Sequence, residues 1–85
     1  MAMKVTVRYF ASLREALGSS EVVELPAGAS AGMLRDALLQ RGGRHAELLG
    51  RERAVRCAVD QVMADEGAAL REGAEIAFFP PVTGG

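Results

Sequence analysis

From Met3 to Phe10 apolar and polar residues alternate. Met3, Val5, Val7 and Tyr9 fall on one side; Lys4, Thr6, Arg8 and Phe10 fall on the other. A period of two with β-branched residues predicts a strand packed on one face. Phe10 is the exception, an aromatic ring on the polar side. Ser12 to Leu17 switches to helical spacing, with Leu13, Ala16 and Leu17 together. Ser12 and Glu15 have the spacing of a capping box, and Gly18 offers a left-handed stop. Glu21 to Leu25 predicts a second strand, closed by Pro26. A longer helix runs from Ser30 to about Arg41, with Met33, Leu34, Ala37, Leu38 and Arg41 on its apolar face and Gly42-Gly43 beyond it. Gly32 in the first turn weakens that start by roughly 1 kcal/mol relative to Ala. Residues 43–53 are polar and basic and read as a surface connection, with room for a single turn over Ala46-Glu47-Leu48-Leu49. Ala54 to Val59 predicts a third strand with Val55, Cys57 and Val59 inward. Asp60-Gln61 turns the chain into a short strand, Val62 to Ala64. Turns at Asp65-Glu66-Gly67 and Arg71-Glu72-Gly73 flank Leu70. Glu75 to Phe79 is the last strand, with Ile76 and Phe78 on one face and Ala77 and Phe79 on the other.

This mixed order in a short chain predicts an α+β fold, one main helix covering one face of a sheet. The opposite face stays partly open, and Lys4, Thr6, Arg8, Phe10 and Phe79 point there. If the first and last strands are neighbours, Phe10 and Phe79 lie side by side. Two open aromatics together suggest a docking patch. Met63 is a further candidate whose facing the alternation leaves open.

Composition narrows the function. Eighty-five residues make one domain with one core. The net charge of −1, no Trp and a single Tyr supply neither a basic surface nor a stacking platform, so no nucleic-acid partner is expected. No apolar run approaches a membrane span, and the N-terminus lacks the apolar core of a secretory signal. Cys57 has no second cysteine to pair with. Together these point to a reducing cytoplasm.

Side-chain chemistry is sparse. His45 is the only histidine, and its polar surroundings read as a solvated loop. Cys57 sits between Val55 and Val59 and reads as a small buried apolar residue. No Cys/His cluster has zinc spacing, and no glycine pattern makes a phosphate loop, so no bound metal or cofactor is expected. Asp65-Glu66, Glu72 and Glu75 read as solvated turn and edge charges. The ending differs in kind: Phe78-Phe79-Pro80-Pro81-Val82-Thr83-Gly84-Gly85. Pro80 and Pro81 offer no N–H to a ladder and stiffen the exit from the sheet. Gly84-Gly85 can thread a channel too narrow for other residues. Residues 1–79 are thus expected to form the globule and residues 80–85 an extended tail that enters a partner's pocket, reaching at most about 14 Å past the prolines.

This ending resembles the small subunit of molybdopterin synthase, the MoaD family. Tyr9-Phe10-Ala11 with Leu13-Arg14-Glu15, Ala58-Val59-Asp60-Gln61, and the run from Leu70 to Phe79 are similar too. Asp60 and Ala74 depart from the family, which often has Asn and Asp there. The resemblance implies a β-grasp, ubiquitin-like fold. It implies that the carboxyl of Gly85 is adenylated by a MoeB-like enzyme using ATP, then converted to a thiocarboxylate with sulfur from a donor. The loaded tail would enter a MoaE-like large subunit, in a heterotetramer of two small and two large subunits, and give its sulfur to cyclic pyranopterin monophosphate. Phe10, Met63 and Phe79 match the family's hydrophobic contact with that subunit. Acid–base groups would come from the large subunit. A carrier for thiamin, cysteine or tRNA thiolation, a ubiquitin-like protein modifier and a plain interaction module are the competing readings.

Overall fold

The computed structural model describes residues 1–50 and 54–80. Five strands form one sheet, in the spatial order β2 (Ser20–Pro26), β1 (Ala2–Tyr9), β5 (Glu75–Phe79), β3 (Arg56–Val59) and β4 (Val62–Ala64). β1 (Ala2–Tyr9) and β2 (Ser20–Pro26) are antiparallel, and α1 (Ser12–Leu17) lies between them in sequence. α2 (Ala31–Leu39) and α3 (Gly43–Leu49) follow, then β3 (Arg56–Val59), β4 (Val62–Ala64) and β5 (Glu75–Phe79). β5 runs parallel to β1 at the centre of the sheet and antiparallel to β3. The first and last strands are therefore neighbours. The fold is α+β, a mixed sheet grasping its main helix on one face, the β-grasp arrangement.

Period-two burial follows the sequence pattern. Met3, Val5, Val7 and Tyr9 are buried, as are Val23, Leu25, Cys57, Ile76 and Phe78. Helix α2 adds Ala31, Leu34 and Leu38 to the same core, and Val55 and Val59 pack against its margin. Each large aliphatic or aromatic side chain buried this way contributes about 1.5–3 kcal/mol.

Four local expectations need correction. Ser12 does not cap α1; the capping position is Ala11, with no side-chain hydrogen bond. The ladder continues one residue past β1, since Phe10 N–H donates to the Phe78 carbonyl at 3.2 Å. The turn must then begin at once, and the carbonyls of Phe10 and Ala11 accept the first helical N–H groups. That turn holds Ala11 at φ 54°, a region costly for a residue with a Cβ.

The buried face of α2 is rotated from the expected one. Ala31, Leu34, Arg35 and Leu38 face inward, while Met33 and Arg41 are exposed. Ser30 caps this helix by accepting from Met33 N–H at 3.2 Å. Gly32 is a site of close approach: its N–H donates to the Glu66 carbonyl at 2.8 Å, and a Cβ there would lie 3.1 Å from that oxygen.

Residues 43–49 are not a surface connection but helix α3, with Leu49 fully buried. Its end is held by Arg35, whose Nε donates to the Leu49 carbonyl at 2.7 Å and Nη2 to the Gly50 carbonyl at 2.6 Å. Arg35 Nη1 reaches Glu66 Oε2 at 2.6 Å. Glu66 is accordingly a structural partner of a buried arginine and not a solvated charge. The β3–β4 hairpin turns on Asp60 and Gln61, both with positive φ (49° and 69°), as a two-residue reversal requires. Asp60 Oδ1 accepts from Glu75 N–H at 3.0 Å, which ties the hairpin to the start of β5.

Candidate functional site

The open face of the sheet carries the side chains that alternate with the core. Cross-strand register sets Arg8 beside Ala77, Ala77 beside Ala58, and Ala58 beside Met63. Met63 therefore shares this face with Arg8, which alternation alone left open. One step further along, Phe79 is paired with Arg56. Phe10, hydrogen-bonded through its N–H to the Phe78 carbonyl, stands beside Phe79 at the same end of the sheet. The structure thus brings Phe10, Met63 and Phe79 onto one face. Phe10 is 40% exposed and Met63 56%, whereas Phe79 is half-buried and not fully open as expected. Pro80 leaves the sheet directly beyond Phe79. Pro81, Val82, Thr83, Gly84 and Gly85 lie outside the described residues.

Charges surround this patch. The Arg8 guanidinium lies 5.6 Å from the centre of the Phe10 ring, within cation–π range. Its Nη1 is 3.6 Å from Glu75 Oε2. Arg56 and Met63 also line an open cleft of about 440 Å³ at the β3–β4 end of the sheet, with Cys57 and Glu66 among its other walls. Burial, and after it the carboxylates of Glu66 and Asp65, push the Cys57 thiol up. It stays protonated and lies 3.4 Å from the Ala64 carbonyl, so it is a poor nucleophile.

A second polar cluster occupies the other face, at the seam of β1, β2 and α3. Glu21 Oε2 accepts from Tyr9 Oη at 2.7 Å and lies 3.1 Å from His45 Nε2, while Oε1 takes Arg41. Tyr9 and His45 rings meet edge to face. Burial alone would raise Glu21, but the hydrogen bonds from Arg41, Tyr9 and His45, with Arg41's charge, outweigh it and hold the carboxyl below its usual range. Burial, then the bond to Glu21 and its charge, push the Tyr9 phenol far up, so it remains a donor. His45 is thus part of a helix-anchoring cluster and not a solvated loop residue. Sequence reading missed this cluster and the buried Arg35; the spacing of Ala31, Leu34 and Leu38 does place Arg35 on their face. Among the described residues no group of His, Cys, Asp and Glu is arranged to hold a metal ion, and no helix is long and apolar enough to cross a membrane.

Comparison with known proteins gives consistent relatives. The molybdopterin synthase sulfur carrier subunit of Mycobacterium tuberculosis is 39% identical, covering 98% of this chain and 99% of its own length. That of Haemophilus influenzae is 36% identical over 95% of this chain and 99% of its own. Among solved structures, SAMP1 from Haloferax volcanii is similar with a TM-score of 0.76 and 30% identity, over 96% of this chain and 99% of that one. In the complex of subunits 1 and 2 of molybdopterin-converting factor from Helicobacter pylori, one chain is similar with a TM-score of 0.63 and 25% identity, over 98% of this chain and all of that one. A sequence profile of the ThiS family matches residues 7–85. A β-grasp sheet, near-full-length relatives and a profile match reaching Gly85 agree: this chain belongs to the ThiS/MoaD family.

Proposed function

We propose that this chain is the sulfur carrier subunit of a molybdopterin synthase. The observation that carries this reading is near-full-length similarity to two relatives of that name, at 36% and 39% identity. The ending Phe78-Phe79-Pro80-Pro81-Val82-Thr83-Gly84-Gly85 supports it. In this reading residues 1–79 are the globule and residues 80–85 the arm. The Gly85 carboxylate is ionised at neutral pH and a poor electrophile. A MoeB-like enzyme therefore spends ATP to make the acyl adenylate, with loss of pyrophosphate. A sulfur donor then displaces AMP and leaves a thiocarboxylate. The chain binds no cofactor itself and is no enzyme alone. Pro81, Val82, Thr83 and Gly84 carry the loaded end into a large subunit that supplies the acid–base groups, with cyclic pyranopterin monophosphate as acceptor. Phe10, Met63 and Phe79 form the docking patch, and the assembly is a cytoplasmic heterotetramer. The similarity to a chain in the Helicobacter pylori two-subunit complex supports a large-subunit partner.

The test is a purified system of this chain, activating enzyme, ATP, a sulfur source, large subunit and pterin substrate. Intact mass should show an oxygen-to-sulfur exchange at Gly85, followed by molybdopterin formation. A chain lacking Gly85 should fold and make no product; product from that chain would sink the mechanism. Similarity to Haloferax volcanii SAMP1, a small archaeal modifier protein, favours protein modification as the second reading. Conjugates of higher mass on target lysines, with no sulfur exchange, would favour it.

A further inference from the structure

The open face holds two arginines whose hydrogen-bonding capacity is unused. Arg8 forms an ion pair with Glu75 at 3.6 Å, too long for a hydrogen bond, and its side chain is 47% exposed. It stacks over Phe10 at 5.6 Å. Arg56 is exposed beside Phe79 in the ladder and has no ion-pair or hydrogen-bond partner among the described residues. Arg35 behaves differently: each of its three guanidinium nitrogens has an acceptor. Arg14, Arg44 and Arg71 are also exposed, but they sit on α1, on α3 and in the turn before Gly73. Among the described residues only Arg8 and Arg56 lie beside the aromatic patch.

Docking on Phe10 and Phe79 withdraws water from both guanidiniums. A desolvated guanidinium without acceptors opposes binding, and its planar fork is matched best by a carboxylate. Arg8 cannot swing away without giving up its contact with Phe10. Arg8 and Arg56 stand two strands apart and offset by two residues, which separates their roots by about 12 Å. Resting on the docking reading above, we propose that Arg8 and Arg56 determine the specificity of this face. Each takes a carboxylate of the large subunit, and the partner's apolar contact is framed by two acidic groups about 12 Å apart.

The experiment measures binding of the full chain to the molybdopterin synthase large subunit of the same organism, by calorimetry over a range of salt. Arg8→Gln and Arg56→Gln should each weaken binding about tenfold or more, because a partner carboxylate loses its charged hydrogen bonds. Both should flatten the salt dependence and lower the melting temperature by no more than a few degrees, since only exposed contacts are lost. Arg8→Lys should recover part of the loss, since it keeps the charge without the fork. Phe79→Asp is the control for the face itself. If Phe79→Asp weakens binding and both Gln variants bind like the unaltered chain at every salt concentration, the arginine proposal is overturned and the docking face stands. If Phe79→Asp also binds normally, the docking face is wrong and this proposal falls with it.

Discussion

The two sides of the central sheet treat the same residue type in opposite ways. On the helix side, Arg35 is 3% exposed and saturated: two backbone carbonyls and Glu66 take its donors. On the open side, Arg8 touches a ring and makes only a loose ion pair with Glu75, at 3.6 Å and without a hydrogen bond. An interior must satisfy its charges internally, because water is not there to do so. A face that meets a partner can leave them unfinished. The contrast extends to aromatics. Phe78 is buried and Phe10 is open, although their backbones are hydrogen-bonded neighbours. Position on the pleat, more than residue type, decides which role each side chain takes.

Arg35→Ala should produce the largest effect and strike the helix side. It strands the Leu49 and Gly50 carbonyls and removes the Glu66 pair, a loss of about 3 kcal/mol or more. In an 85-residue chain that lowers the melting temperature by roughly 12–24 °C. A melting curve shifted by less than a few degrees would remove the distinction between the two faces.

Phe79→Asp should act on the open side. We expect affinity for the large subunit to fall by about 2 kcal/mol or more, since the new carboxylate is desolvated in an apolar contact. The change in the urea midpoint should be much smaller than for Arg35→Ala. Equal losses of stability in the two variants would mean that the open face is structural.

Acid should probe the Glu21 cluster. The folded-state carboxyl lies below its ordinary value of 4.5. Its stabilising contribution is therefore complete above that pH and is lost as pH falls through the folded-state value. Glu21→Gln should lower stability at neutral pH and flatten the acid limb between pH 7 and the low-pH transition. An acid limb identical to that of the unaltered chain would exclude Glu21 as its source. The smallest effect belongs to the hairpin. Gln61→Gly at φ 69° should raise stability by about 0.5–1 kcal/mol, read from the urea midpoint, because glycine removes the Cβ strain there. No gain would mean that Gln61 contributes side-chain contacts that offset its strain.

Much of this protein was legible in its residues. Alternation over Met3 to Phe10 and Glu75 to Phe79 specified the strands and which side of each is buried, because a pleat has a period of two whatever surrounds it. The ending from Phe78 to Gly85 and the strands before it carry the resemblance to the family to which the chain belongs. Helix α3 was not legible: its carbonyls are held by Arg35, 14 positions or more away, and local propensity cannot register a partner so distant. The same holds for Glu21, which gathers Tyr9, Arg41 and His45 from three other segments. Nor could alternation in the three-residue strand β4 decide the facing of Met63; that awaited its register against Ala58. The sequence by itself determined period and punctuation, which are properties of neighbouring residues. Only the tertiary structure decided which charges are satisfied and which are left on the open face, because that depends on what the fold brings within about 3 Å.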